Sequence, residues 1–330
     1  MSSVSEFYLL ALNFVKRVYI GLTAVSLFST STCSQVTGID VQINETNFPD
    51  AKFRQFLSKQ KYGSDGVITP SEIARIKKIY IQDMGIADLT GIKHFTALKE
   101  LYARNNQIRS LDISGMTKLT KVILGSNQLT HINVSGSTNL RSLYCSNNQL
   151  TSINVSDLTN LKYLYLSANR FTSVDVSNLT NLVELYLGNN QFVSFDFSNL
   201  KNLVHLDLYN NQFTSVDVSE LKKLKRFFCD HNDLSSLNLT GLTKLKKLVC
   251  NNQTPKLTLT AKEGNYSINI ALNHPAGLSD GISYSNGMLT SINRSITESY
   301  FEVETGYGDT KLSGKMTFCY LTENEHTLVQ

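Results

Sequence analysis

The side chains best suited to chemistry in this sequence recur at a fixed interval. Tyr102, Tyr144, Tyr165 and Tyr186 are spaced by 42, 21 and 21 residues, and Phe228 stands 42 residues beyond the last. Ile123 and Asp207 fill the two intermediate places. Tyr163, Glu184, His205 and Arg226 stand two residues before that column, and Tyr209 two residues after it. The set offers aromatic surface, phenol hydroxyls and a few charges, the groups that dominate recognition interfaces. His205, Asp207, Asp230 and His231 are residue types that bind zinc, but strand spacing holds several of them two positions apart, and no metal site is predicted. Signatures of catalysis are missing. There is no Cys-x-x-Cys, His-Glu-x-x-His, glycine-rich phosphate loop or Gly-x-Ser-x-Gly elbow. No catalytic residue, cofactor or enzyme activity is expected.

The chain has 330 residues, 41% hydrophobic and 18% charged, with a formal charge of +4. That is a soluble globular composition, long enough for two or three folded units. The charge excess is modest and by itself argues neither for nor against a polyanionic partner; no nucleic-acid partner is expected. Seven cations (Lys222, Lys223, Lys225, Arg226, Lys244, Lys246 and Lys247) do crowd one short region, which reads as a solvated rim or as a patch for an anionic ligand.

The interval of 21 belongs to a longer pattern. Leu98, Leu119, Leu140, Leu161, Leu182, Leu203, Leu224 and Leu245 each open a copy of one segment, as in LKYLYLSANRFTSVDVSNLTN and LVELYLGNNQFVSFDFSNLKN. Within each copy, positions 4 and 6 are apolar and position 5 is free, the alternation of a short strand with one buried face. The tyrosine column is position 5, so it points away from the core. One such strand cannot bury its own face, but stacked copies form a parallel sheet over a continuous core. Position 9 is Asn106, Asn127, Asn148, Asn169, Asn190, Asn211 and Asn232, where an amide can satisfy backbone groups at a turn into the core. Positions 11, 14 and 16 are apolar again, as in Phe171, Val174 and Val176, and predict a strand or extended arc on the convex side rather than a helix. Cys145, Cys229 and Cys250 fall at position 6 and read as buried thiols; a disulfide between the ladder neighbours Cys229 and Cys250 would strain in-register strands. The Asn-x-Ser triplets at Asn133 and Asn154 follow from the period without glycosylation.

The pattern LxxLxLxxNxL in register resembles the leucine-rich repeat of the short 21-residue bacterial class. With the stretch GIADLTGIKHFTALKEL before it, the chain resembles secreted bacterial leucine-rich-repeat proteins, including internalin-like ones. The resemblance implies a mostly β solenoid with a parallel concave sheet. It also implies a non-enzymatic binding module, recognising a protein with its concave face; a surface glycan stacked on the tyrosine stripe is the alternative. The expected contact residues are Tyr102, Tyr144, Tyr163, Tyr165, Glu184, Tyr186, His205, Asp207, Tyr209, Arg226 and Phe228.

The flanks are read from their own residues. Residues 1–33 look like an export leader: Lys16 and Arg17, an apolar run over 18–28, small residues, then Cys33 as a candidate lipidation site. Membrane attachment is expected only through that lipid, and the protein is expected to be an exported monomer at the cell surface or secreted. Residues 34–75 read as an N-terminal cap, with Phe48, Phe53, Phe56 and Leu57 at helical spacing and Asn47 as N-cap. Asp65 and Glu72 resemble the second half of an EF-hand calcium loop, but Lys61 and Gly63 occupy its early ligand positions, so the turn is expected without the metal. The repeats run over 76–255 and stop where Gln253 and Pro255 replace Asn and an apolar residue. Residues 256–330 have no repeat, and the alternating runs KLTLTA, YSINIAL, YFEVET and KMTFCYL predict a small all-β domain covering the far end.

Overall fold

The computed structural model describes residues 38–239 and 241–250, and beyond them the backbone of six strands between 258 and 329. All of these lie in the unit Gly38–Gln330. The leader, Cys33 and the end of the repeats at Gln253 and Pro255 lie outside the described residues.

The solenoid is built one three-residue strand per turn. Nine parallel strands form the concave sheet: β3 (Lys78–Tyr80), β4 (Glu100–Tyr102), β6 (Lys121–Ile123), β8 (Ser142–Tyr144), β9 (Tyr163–Tyr165), β10 (Glu184–Tyr186), β11 (His205–Asp207), β12 (Arg226–Phe228) and β14 (Lys247–Val249). Position 4 pairs with position 4 throughout, as in Leu164 with Leu185 and Leu185 with Leu206. Positions 1, 4 and 6 are fully buried in the central turns: Leu161, Leu164 and Leu166, then Leu182, Leu185 and Leu187. Each such leucine contributes about 1.5–3 kcal/mol by leaving water.

The convex side differs from turn to turn. Among the described residues β5 (Ser110–Asp112) and β7 (His131–Asn133) pair with each other there, and their position-14 residues Leu111 and Ile132 are buried. From Ile153 through Val174, Phe195 and Val216 the same position is only partly buried, and the backbone is an extended arc. Positions 11 and 16 carry the core instead, with Phe171, Phe192 and Phe213 stacked at 6.5 and 6.3 Å. The arc ends in a side-chain-to-backbone turn: Asp175, Asp196 and Asp217 each accept from the N–H of the serine two residues on, at 2.9 Å. Asn133 and Asn154 make the same turn with Ser135 and Ser156.

The asparagine ladder closes each turn. Asn190 donates through Nδ2 to Leu187 O (2.9 Å) in its own turn and to Leu166 O (3.0 Å) in the turn before, and its Oδ1 accepts from Phe171 N (3.0 Å). Every position-6 carbonyl in the middle of the stack therefore accepts from two asparagines. The residue just before position 9 is left-handed in every turn, from Asp83 (before Met84) and Asn105 through Ala168 (φ 54°) to His231. Asparagine adopts that conformation at lower cost than alanine.

The cap departs from the sequence reading at one point. Helix α1 spans Ala51–Lys59, and its N-cap is Asp50, not Asn47. Pro49 forces extended backbone ahead of it, so Phe48 lies outside the helix and Asn47 instead donates to Gln42 O at 2.9 Å. Asp50 also ties the cap to the stack. One oxygen accepts from Lys52 N and Phe53 N, and the other from Ala87 N (2.7 Å) and Asp88 N (3.2 Å) in the first repeat. Burial would raise this carboxyl's pKa, but four backbone donors hold it below the usual range. Strands β1 (Val41–Gln42) and β2 (Val67–Ile68) pair antiparallel, and α2 spans Pro70–Ile73. Glu72 is taken up by the capping box of α2, accepting from Thr69 N (2.9 Å) and Oγ1 (2.7 Å), while Asp65 accepts from Val67 N.

At the other end, β13 (Ser236–Asn238) on the convex side pairs with β15 (Thr258–Ala261), which continues into an antiparallel sheet with β20 (Glu325–Val329), β19 (Lys311–Leu321) and β18 (Glu298–Glu304). A separate hairpin joins β16 (Ser283–Ser285) to β17 (Met288–Thr290). Three of the four alternating runs coincide with strands; YSINIAL lies outside the described residues. Among the described residues no helix is long and apolar enough to cross a membrane.

Candidate binding surface

Position 5 of each strand faces the concave side, and the in-register pairing brings the tyrosines together. Tyr144 and Tyr165 have ring centroids 4.4 Å apart at 33°, and Tyr165 and Tyr186 are 4.3 Å apart at 11°. The rings lie along the sheet and cover one another, so all three are half-buried rather than freely exposed. This follows from the strand spacing of about 4.8 Å, which is wider than a ring is thick but too narrow for each ring to keep its own shell of water.

A second stack, 4.7 Å between centroids, joins Tyr102 to Tyr80. Tyr80, which is 49% exposed, was not among the expected contact residues. Its signal was available, because Ile76 opens a divergent first repeat and Tyr80 is its position 5. Ile123 separates the two stacks, and Lys121 bridges them with its Nζ 5.5 Å from the Tyr102 ring and 5.8 Å from the Tyr144 ring.

Position 3 supplies the charges that orient the phenols. Tyr102 donates its hydroxyl to Glu100 Oε2 at 2.6 Å, and Glu100 is paired with Lys78 at 3.0 Å. The Tyr165 hydroxyl donates to Glu184 Oε2, while Glu184 Oε1 stands 3.2 Å from His205 Nδ1. The hydrogen bond to Glu100, with burial behind it, pushes the Tyr102 pKa up to about 12. Burial, then Glu184, pushes Tyr165 up as well, and burial raises Tyr144 and Tyr186. The phenols are therefore neutral across the physiological range and act as hydrogen-bond donors.

Tyr163 and Ser142 continue the position-3 row. Towards the C-terminal end the face turns polar. Asp207 is pushed up to about 6, first by burial and further by Asp230, against the Tyr209 N–H it accepts from at 2.9 Å. Asp230 is also raised by burial, and His231 Nδ1 lies 3.2 Å from it. Tyr209 packs edge-on against His231 at 5.0 Å. The four zinc-type residues are thus divided between partners: His205 with Glu184, and His231 with Asp230. Among the described residues no three His, Cys, Asp or Glu side chains gather around one point. Phe228 lies beneath the Lys247 ammonium at 5.1 Å, and Arg226 is exposed. Cys145, Cys229 and Cys250 are buried in the core; burial pushes Cys145 and Cys250 up to about 12 and raises Cys229 as well. They are unreactive core groups.

A one-strand-per-turn solenoid with a position-9 asparagine ladder defines the class: the fold is a leucine-rich-repeat solenoid, an architecture whose extended concave sheet supports protein interaction. The family "Leucine Rich repeats (2 copies)" matches residues 138–181 and 180–223. Among solved structures, the chain is similar to internalin C2 from Listeria monocytogenes, with 25% identity, a TM-score of 0.50, and coverage of 67% of this chain and 97% of that one. The functional domain of InlJ from the same organism is 28% identical over 64% of this chain, with a TM-score of 0.48, and this chain spans 57% of its length. No curated protein matches. The repeat architecture is internalin-like.

Proposed function

We propose that the concave sheet binds a protein partner, with the stack Tyr144, Tyr165 and Tyr186 as its anchor and Tyr102, Tyr163, Glu184, His205, Asp207, Tyr209, Arg226 and Phe228 around it. The supporting observation is the continuous half-exposed aromatic surface, held in place by stacking and by carboxylate hydrogen bonds. Rigid aromatic groups with a polar tip lose little conformational freedom when a partner covers them.

The same geometry argues against a sugar as the main ligand. A sugar ring binds an aromatic side chain by its face, and both faces of Tyr165 are already covered by Tyr144 and Tyr186. What these rings present to the concave side is edges and hydroxyls, which suit peptide and side-chain groups. The reading includes export to the cell surface, non-enzymatic recognition there, and Cys33 as the lipid attachment point.

A photo-crosslinking amino acid tests the surface directly. Placed at Tyr186, it should capture a protein from a cell-surface extract; placed at Asp175 on the convex arc, it should capture none. Equal capture at both positions would refute the concave assignment.

A further inference from the structure

The charge of this chain is concentrated in one place. Residues 221–250 hold seven lysines and arginines against Asp230 and Asp233, a formal +5, while the whole chain carries +4. Five of them, Lys222, Lys223, Lys225, Lys244 and Lys246, precede strands β12 and β14, and Arg226 and Lys247 are the first residues of those strands. Both aspartates come after β12.

Lys225 and Lys246 stand at the C-terminal end of a row that runs the length of the sheet. Position 2 of each turn donates its backbone N–H to the position-2 carbonyl of the turn before, from Lys99 N to Lys77 O (2.8 Å) through to Lys246 N to Lys225 O (2.8 Å). Nine residues are joined in this way, and six of them are Lys77, Lys99, Arg141, Lys162, Lys225 and Lys246. Thr120, Val183 and Val204 complete the row, so it contains no carboxylate and no aromatic ring. The six cations are exposed. At about 4.8 Å per turn the row is about 38 Å long.

The pairing puts like charges side by side. Lys225 neighbours Lys246, and Arg226 is opposite Lys247. Like charges directly across a ladder are destabilising. Among the described residues none of Lys225, Arg226, Lys246 and Lys247 has an ion pair, and the nearby Glu220 is taken by Lys201 at 3.4 Å. Asp217 is turned into its own backbone. The arrangement concentrates positive potential instead of neutralising it.

We propose that this row, centred on its C-terminal end, is a second binding surface that takes a linear acidic polysaccharide. Lysines on flexible stems read charge density rather than the geometry of one group. The backbone of the row is already hydrogen-bonded from turn to turn, so it offers an acidic peptide no strand to pair with. It has no ring on which a nucleic-acid base could stack. What remains is a row of cations in two groups, Lys77 to Lys162 and Lys225 with Lys246, along which a polymer with an anion on each repeating unit can run. The surface uses side chains other than the aromatic stack and stands independently of it.

The test uses the full chain with two fluorescent polymers, chondroitin sulfate and polygalacturonate, which separate sulfate from carboxylate as the preferred anion. Binding is followed by anisotropy across a salt series. Wild type should bind at least one of them, with affinity falling as salt rises. The variant Lys222→Gln/Lys225→Gln/Lys244→Gln/Lys246→Gln should lose about tenfold or more in affinity and show a shallower salt dependence. Lys77→Gln/Lys99→Gln, at the sparse end of the row, should lose less. Tyr144→Ser/Tyr165→Ser/Tyr186→Ser should bind the polymer as wild type does, whatever becomes of its protein binding. The proposal is overturned if wild type binds neither polymer, if the four-glutamine variant binds unchanged while keeping a native circular dichroism spectrum, or if poly-L-glutamate or duplex DNA binds as tightly as the sugars.

Discussion

Replacing Asn190 with alanine isolates the energetics of the asparagine ladder. The side chain makes four hydrogen bonds, yet the structure predicts that only one group is orphaned, since Gly188 O keeps the Ala168 N–H at 2.8 Å. Leu166 O keeps Asn169 Nδ2 at 2.9 Å, and Leu187 O keeps Asn211 Nδ2 at 3.1 Å. The Phe171 N–H loses its acceptor, in a residue that is 0% exposed. The cost should be about 1–3 kcal/mol, the penalty for one buried unpaired donor. Asn169→Ala should cost a similar amount, by orphaning Leu150 N. The double variant goes further, because Leu166 O then has neither of its donors. Its destabilisation should exceed the sum of the singles by about 1–3 kcal/mol. Urea unfolding followed by circular dichroism measures all four corners of the cycle. Strict additivity, or singles that unfold at the wild-type midpoint, would show that shared acceptance does not hold the turns together.

Two further predictions follow from single side chains. Asp207 has a folded-state pKa of about 6, against 3.8 for the free group, so the folded state binds the extra proton between those values and stability falls as pH rises through that window. Asp207→Asn should therefore stabilise the protein by about 1–2 kcal/mol at pH 7 and change little at pH 4; equal effects at both pH values would contradict the burial argument. Ala168 is the one alanine in a left-handed column otherwise rich in Asn, and Asn210 donates to Asn189 Oδ1 at 2.9 Å in that column. Ala168→Asn should raise stability by about 1 kcal/mol, and a lower melting temperature would refute it.

Most of the solenoid was legible because its period is strict. A 21-residue interval fixes the strands, the core positions and the asparagine column without reference to distant residues. The departures occur where neighbours compete locally or where side-chain direction decides. Asn47 and Asp50 can both cap a helix, and Pro49 between them decides for Asp50 by holding the preceding backbone extended. The signal of Tyr80 is weak because its turn replaces the leucines with isoleucines and is 22 residues long, from Ile76 to Leu98, rather than 21. The outward direction of the tyrosines followed from alternation; their stacking face to face did not, since it depends on side-chain torsions. That stacking bears most on the ligand, because it hides ring faces that a sequence reading would offer to a sugar.

The account rests on the aromatic stack as the anchor for a protein partner. Its most direct test is the dissociation constant of the partner captured by the Tyr186 crosslink, measured for wild type and for Tyr144→Ser/Tyr165→Ser/Tyr186→Ser. Each anchor is expected to contribute about 2 kcal/mol or more on truncation, so the triple variant should lose at least about a thousandfold in affinity. It should still fold, because the position-4 and position-6 core is untouched. A folded triple variant that binds the partner with wild-type affinity would mean that the stack only stiffens the sheet and that recognition lies elsewhere on the solenoid.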